Sequence, residues 1–117
     1  MNSKQIGDKG ETIAVNYLID KGFNIVERNW RFKHLEIDII AYINKTLHFI
    51  EVKTRTNELF GKPEESIDEI KMNRLKKAAE AYLQIHSEWL LIQFDVVAIT
   101  LHKNETPEIF FIEDVFF

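Results

Sequence analysis

The chain has 117 residues, of which 45% are hydrophobic and 29% are charged, and this suffices for one domain with a modest core over residues 1–117. It contains no cysteine, which excludes disulfides, thiolate zinc sites and cysteine nucleophiles, and it has no apolar run long enough to span a membrane. The formal net charge of −4 argues against a protein that coats nucleic acid non-specifically, but it suits a site in which carboxylates hold a divalent cation. Because the first residues are polar and lack the apolar core of a signal peptide, we expect a cytoplasmic protein.

Hydrophobic periodicity predicts an α/β fold, with a mixed β-sheet flanked by helices in the order α-β-β-β-α-β-(β). Gly22 is suited to end the first helix, and Asn44-Lys45-Thr46 is typical of a hairpin turn. The predicted elements are helices at residues 4–20 and 64–86, strands at 23–32, 35–43, 47–54, 89–101 and 108–112, and a loop at 55–63.

The predicted hairpin carries acids where apolar residues would be expected. Strand alternation groups these side chains on one face of each strand, namely Glu36, Asp38 and Ile40, then Phe49, Glu51 and Lys53. A two-residue turn places Asp38 opposite Glu51 and Glu36 opposite Lys53, whereas a turn one step later pairs Asp38 with Lys53. A three-residue loop without a bulge would separate the acids.

Two directly opposed carboxylates repel each other, so either a proton or a positive ion should lie between Asp38 and Glu51. A divalent cation with oxygen ligands fits this requirement. The alternative is two exposed acid–base pairs on a solvated face, against which the apolar neighbours Ile40 and Phe49 count. On these residues alone both interpretations stay open.

The first helix adds another acid, Glu11, which lies on the apolar stripe with Ala14 and Leu18. An acid near a helix N-terminus is also favoured by the helix dipole alone, but the dipole does not require the apolar stripe. Gly7, one turn earlier, would leave room for the backbone of a ligand.

Ordered motifs resemble those of the YraN-like family of uncharacterised proteins, and they cover nearly the whole chain. The matching segments are Gly7-Asp8-Lys9-Gly10-Glu11-Thr12-Ile13-Ala14, Glu27-Arg28-Asn29-Trp30-Arg31, Glu36-Ile37-Asp38-Ile39-Ile40, Phe49-Ile50-Glu51-Val52-Lys53-Thr54-Arg55, Phe60-Gly61-Lys62-Pro63, Lys71, Arg74-Leu75 and Phe94-Asp95-Val96-Val97. Leu35 departs from the pattern, since the family usually has glycine there, and Ile37 occupies the superfamily's proline position.

The resemblance implies the restriction-endonuclease-like fold of the PD-(D/E)xK nuclease superfamily, close to archaeal Holliday-junction resolvases. In that superfamily an acid, followed by Glu-x-Lys on the neighbouring strand, holds Mg²⁺ and activates water. By position, the implied catalytic residues are Glu11, Asp38, Glu51 and Lys53. The implied ligands of Mg²⁺ or Mn²⁺ are Asp38, Glu51, the Val52 carbonyl and Glu11, with Glu36 as a supporting residue that pairs with Lys53.

Basic residues on strand ends, the loop and the long helix are candidates for contacts with DNA phosphates, namely Arg28, Arg31, Arg55, Lys62, Lys71 and Arg74. For the helix residues, an ordinary solvated face is the alternative. We therefore expect a divalent-metal-dependent DNA endonuclease, with branched or structured DNA as a candidate substrate and a homodimer as the form a resolvase requires. The alternative is a non-catalytic module that keeps the fold to bind nucleic acid or a protein.

Three further residues each allow two interpretations. Trp30 could stack on a base, although a core position is the more typical role. Asp95, within an apolar strand, is either a structural acid or an outlying member of the site. Phe110 either closes the core or, if exposed, contributes to a dimer surface.

Overall fold

A computed structural model describes residues 1–56 and 68–115, which form a five-stranded sheet with one helix on each face. The elements are α1 (Ser3–Asp20), β1 (Asn24–Phe32), β2 (Leu35–Ile43), β3 (Thr46–Thr56), α2 (Glu69–Ile85), β4 (Leu91–Leu101) and β5 (Glu108–Ile112). The strand order is β1-β2-β3-β4-β5, with β3 and β4 parallel and the other neighbours antiparallel. The predicted fold class and element order are confirmed. Neither helix within these residues has the length and apolarity needed to cross a membrane.

The predicted bounds differ from the observed ones mainly around the second crossover. β3 continues to Thr56, so Arg55 lies in a strand and its assignment to a loop was wrong. The sheet explains this difference, because Arg55 pairs with Thr100 of the parallel strand β4. The rest of the predicted loop and the start of the predicted second helix fall outside the described residues, and α2 begins at Glu69 after the N-cap Asp68.

Helix α1 is fixed at both ends by local interactions. Asn2 and Gln5 form a reciprocal capping box at its N-terminus. At its C-terminus Gly22 has a φ of 99°, its amide donates to the Ile19 carbonyl, and the Phe23 amide donates to the Leu18 carbonyl. This is the Schellman geometry, and it confirms Gly22 as the residue that ends the helix.

The sheet separates two hydrophobic clusters, and α1 and α2 cover opposite faces. Leu18 and Ile50 belong to the cluster under α1, whereas Phe49 and Leu75 belong to the cluster under α2. Helix α1 approaches β3 closely, since a Cβ atom at Gly10 would lie 1.8 Å from Thr54 Oγ1. This close contact places the next residue of the helix, Glu11, beside the end of the β2–β3 hairpin.

Candidate metal and phosphate site

The β2–β3 ladder ends where the acidic residues begin. Its pairing runs from Ile43↔Thr46 to Ile39↔Ile50, which confirms the two-residue turn and excludes the register that would pair Asp38 with Lys53. Beyond Ile39 the described ladder stops, and the Val52 amide instead donates to Asp38 Oδ2 at 2.8 Å. The Asp38 carboxyl thus replaces a backbone partner at the point where the two strands separate.

Asp38 and Glu51 form a close carboxyl pair. Burial, followed by the hydrogen bond and charge of Glu51, raises the pKa of Asp38 to about 8, while the Val52 amide acts in the opposite direction. Near neutral pH, Asp38 therefore retains a proton that an aspartate alone in water would have released, and this proton reduces the repulsion between the two acids. A cation placed between them would take over the role of that proton.

Glu11 approaches the same place from α1, and its side chain is only 13% exposed. Its carboxylate accepts hydrogen bonds from Asn29 Nδ2 at 2.8 Å and Arg28 Nη2 at 3.3 Å. Burial and the charge of Asp38 nevertheless raise the pKa of Glu11 above its ordinary value, because they outweigh these two favourable partners. Glu11 is thus electrostatically coupled to the carboxyl pair.

Lys53 lies on the same face of β3 as Glu51, and its amino group lies beside that of Lys71 of α2. Burial, then the neighbouring Lys71 amino group, lower the pKa of Lys53, while Glu51 and Asp68 partly offset this effect. Two adjacent ammonium groups favour an anion between them. The pair is therefore suited to bind a phosphate oxygen beside the carboxylates.

These groups line one open cleft of about 920 Å³, hereafter the cleft, between the N-terminal halves of the two helices and the end of the hairpin. It contains the four side chains implied to be catalytic, namely Glu11, Asp38, Glu51 and Lys53. Gly7 also lines it, and a Cβ atom there would meet nothing within 4 Å. The space beside Gly7 is thus open.

The donor set fits a hard cation that retains water ligands. Within residues 1–56 and 68–115, no three acidic or histidine side chains converge into a complete metal-ligand group. Mg²⁺ commonly binds through one or two carboxylates, with water and substrate phosphates completing the octahedron. Asp38 and Glu51 supply those two carboxylates, and the neighbouring Glu11 can act through water. A role for the Val52 carbonyl stays a prediction.

Glu36 does not pair with Lys53, contrary to the sequence-based expectation. Its carboxylate accepts from Arg31 Nε at 2.8 Å, because Arg31 lies directly opposite it on β1. Strict alternation also fails along β2. Ile37 packs under α2, whereas Ile39, two residues later, packs under α1.

Asn29 is the site residue that the sequence analysis missed. It lies on β1 between Arg28 and Trp30, whose partners on β2 are the two neighbours of Asp38. Its φ of 52° is in the left-handed region. Asparagine tolerates this conformation better than most residues. The resulting irregularity directs the Asn29 amide onto Glu11 and accompanies the change of face on β2. An asparagine in the middle of a predicted strand was the available signal.

The candidate phosphate contacts have different surroundings. Arg28 pairs with Glu11, and Arg31 pairs with Glu36. Arg55 donates from Nε to Thr100 Oγ1 at 3.3 Å and lines the cleft. Lys71 lines both the cleft and a smaller adjoining cavity, whose walls also include Arg74, and Lys62 lies outside the described residues.

Asp95 is a structural acid rather than a member of the site. It is fully buried on the α1 face, where its Oδ2 lies 2.6 Å from His48 Nδ1. Its Oδ1 accepts from Gln93 Nε2 and from the Asp114 amide, both at 2.9 Å. His48 is buried, with Phe23 packed edge-on against it. His48, Gln93 and the Asp114 amide therefore occupy both oxygens of the Asp95 carboxylate.

Comparison with known proteins identifies the family to which these features belong. The model of the uncharacterised protein family UPF0102 matches residues 10–99, which include Glu11, Asp38, Glu51 and Lys53. A UPF0102 protein of Geotalea uraniireducens is 45% identical over 118 residues, covering 98% of this chain and 91% of its own length. One from Caldicellulosiruptor bescii is 44% identical, with 99% and 100% covered, and one from Bacteroides thetaiotaomicron is 38% identical, with 97% and 93% covered.

Proposed function

The chain belongs to the UPF0102 family, and we propose that it is a divalent-metal-dependent endonuclease that hydrolyses phosphodiester bonds in DNA. The observation that carries the proposal is the Asp38–Glu51 pair at the end of the β2–β3 ladder, with Lys53 two residues along the same strand. Membership of the PD-(D/E)xK nuclease superfamily is part of the proposal.

Each side chain of the cleft has a defined role in this reaction. Asp38 and Glu51 hold Mg²⁺ or Mn²⁺, and the Val52 amide fixes the orientation of Asp38. The bound cation would supply a water of lowered pKa and a clamp for a non-bridging phosphate oxygen. Lys53 stabilises the negative charge that develops on the phosphate, and Glu11 binds the cation through water or accepts a proton.

The electrostatics of the cleft support a phosphate substrate. The Lys53–Lys71 pair faces the space next to the carboxylates, so a phosphate placed there meets two cationic groups on one side and a metal ion on the other. Arg55 and Arg74 extend the basic character along the walls of the cleft and its adjoining cavity. Branched DNA is a candidate substrate. A resolvase-type reaction on it would require two sites and thus a homodimer.

A non-catalytic binding module is the second candidate function. It is favoured by the lack, within the described residues, of a group of three converging ligands, and by Leu35, whose side chain packs at the wall beside Asp38. In this alternative the same surface binds DNA or a protein without hydrolysis.

Metal binding and cleavage together test the proposal. We expect calorimetry with Mn²⁺ or Mg²⁺ to show binding by the wild type, none by Asp38→Asn, and unchanged binding by the matched control Asp20→Asn, on the exposed last turn of α1. If metal alone does not bind, the titration is repeated with DNA, since phosphates can complete the site. Absence of binding in both titrations would overturn the metal site.

Cleavage of labelled branched and linear DNA then separates the two functions. We expect metal-dependent products from the wild type and from Lys45→Met, which alters the far turn of the hairpin. Lys53→Met should lower the rate by roughly 100-fold, as removal of one transition-state donor does elsewhere. A protein that binds DNA and metal but yields no products would support the non-catalytic module.

A further inference from the structure

A groove continues from the cleft towards the turn between β1 and β2. A cavity of about 260 Å³ shares Glu36, Asp38, Glu51 and Lys71 with the cleft. A second cavity, of about 210 Å³, shares His34, Leu35 and Glu36 with the first. The cationic residues along this path are Lys71, Arg74, Lys33 and Arg31, and Glu36 neutralises only Arg31 among them. The groove is therefore suited to a polyanionic strand that leaves the cleft on this side.

Phe32 is the last residue of β1 and is 38% exposed, and its two neighbours in the chain, Arg31 and Lys33, line the second cavity. Its ring is parallel to that of Trp30, with centroids 6.2 Å apart and an angle of 6°. Trp30 is itself fixed by an edge-on contact with Tyr82 of α2, with centroids 5.3 Å apart. Phe32 is thus an exposed aromatic ring supported by the core.

A cation accompanies this ring. Lys33 Nζ lies 5.4 Å from the Phe32 centroid, and Lys33 has a φ of 58° in the tight turn. Glycine or asparagine suits that conformation better than lysine. An aromatic ring flanked by a cation is typical of surfaces that bind single-stranded nucleic acid, where the ring stacks on a base and the cation contacts the backbone.

We propose that Phe32 stacks against an unpaired base of the DNA strand that runs along this groove, so that the substrate carries a single-stranded segment beside the cleaved bond. This inference rests on the proposed function and specifies its substrate class. In a duplex the neighbouring base pairs cover both faces of each internal base, so only an unpaired or terminal base can stack on Phe32.

The spacing between Phe32 and the carboxylates agrees with this assignment. Phe32 pairs with Leu35, three residues along β2 from Asp38. At about 3.4 Å per residue, this separation is about 10 Å, which corresponds to roughly three stacked nucleotides or fewer extended ones. The stacked base therefore lies within about three nucleotides of the phosphate in the cleft.

Fluorescence anisotropy with labelled DNA in EDTA, where no cleavage occurs, tests the inference. The probes are a blunt duplex and the same duplex with a single-stranded overhang. We expect the wild type to bind the overhang DNA more tightly. Phe32→Ala should lose roughly 5- to 100-fold in affinity for it, with little change for the blunt duplex. Phe32→Tyr should retain the preference.

The matched control is Tyr42→Ala, because Tyr42 is an aromatic residue with the same 38% exposure and a ring contact to a tryptophan, but lies beside the far turn of the β2–β3 hairpin. Equal affinity of the wild type for both DNAs, or an equal loss for Phe32→Ala and Tyr42→Ala, would overturn the inference. A different result would overturn the proposed nuclease function alone. In that case the protein binds the overhang DNA more tightly and loses this preference in Phe32→Ala, but does not cleave the DNA with Mg²⁺ or Mn²⁺.

Discussion

Replacing Asp38 by asparagine should stabilise the metal-free protein at alkaline pH and remove its stabilisation by divalent cations. Asparagine has the shape of a protonated aspartate, its oxygen can still accept from the Val52 amide, and its NH₂ group can donate to Glu51. The variant therefore keeps the geometry of the neutral pair. It cannot acquire the second negative charge that a cation would neutralise.

The magnitude follows from the raised pKa of Asp38, about 8 in the folded protein against an ordinary value of 3.8. Between these values the folded protein binds more protons than the unfolded chain, so the free energy of unfolding falls as pH rises from about 4 to about 8. A difference of about four pKa units sets an upper limit on the order of 5 kcal/mol. Side-chain relaxation and water entry around the charged pair reduce this limit, and we expect a fall of about 2–3 kcal/mol.

Urea denaturation followed by tryptophan fluorescence, in EDTA across this pH range, measures the effect. The wild type and the matched control Asp20→Asn should lose stability with rising pH, whereas Asp38→Asn should lose much less. At pH 8, millimolar Mg²⁺ or Mn²⁺ should restore about 1–3 kcal/mol to the wild type and to Asp20→Asn, as expected for a ligand well above its Kd. The reasoning is refuted if Asp38→Asn and Asp20→Asn show the same pH slope and the same response to metal.

Three further substitutions test how the cleft is built, with urea denaturation as the common measurement. Gly10→Ala should destabilise by about 1–3 kcal/mol, because its Cβ would lie 1.8 Å from Thr54 Oγ1. In the control Gly7→Ala the added Cβ meets open space, and the variant should raise the free energy of unfolding by up to about 1 kcal/mol. Equal effects of the two substitutions would contradict the close contact between α1 and β3. Asn29→Ala should lower the free energy of unfolding by about 1–3 kcal/mol, since alanine tolerates the left-handed backbone less well and cannot donate to Glu11. Asn29→Gly should recover the part of this loss that comes from the backbone conformation. Asp95→Ala should cost about 3–5 kcal/mol because it leaves a buried histidine and two other donors unpaired, yet calorimetry on the folded fraction should find metal affinity unchanged.

The adjacency of the two central acids could be predicted because it depends on a local signal. Asn44 and Lys45 both adopt left-handed conformations, with φ of 49° and 67°, as a two-residue hairpin turn requires. Once the turn is set, the register follows by counting, and Asp38 must lie opposite Glu51. Counting from the turn therefore places the two acids of the candidate site together, whatever the packing of the helices.

The partners of Glu36 and the course of β2 could not be predicted in this way, because they depend on a second pairing. The counting used only the β2–β3 hairpin, whereas Glu36 lies directly opposite Arg31 on β1. Opposite the left-handed Asn29 of β1, the in–out alternation of side chains along β2 is also interrupted. The prediction that Asp38 and Ile40 share a face relied on that alternation. Strand alternation holds only where both neighbouring ladders are regular.

The approach of Lys71 to Lys53 depends on tertiary packing, and the sequence carries no local signal for it. Helical spacing shows that Lys71 and Arg74 share a stripe of α2, but it does not show which end of the sheet the stripe reaches. Packing of α2 residues such as Leu75 against the sheet fixes that position. Lys71 is exposed, as the solvated-face alternative expects, and it also lines the cleft.

Two aspartates of this chain show how a structural acid differs from one suited to bind a cation. Asp95 is fully buried, and contacts with His48, Gln93 and a backbone amide within the fold occupy its two oxygens. Asp38 receives one backbone amide and is otherwise held against Glu51, a group of the same charge, and its pKa rises accordingly. Replacing a crowded acid pair by well-packed apolar side chains would often increase stability. The hydrogen bond from the Val52 amide accounts for the position of Asp38 but not for a second carboxyl group, Glu51, placed against it. A cation that neutralises both carboxylates would supply a physical reason for this crowding.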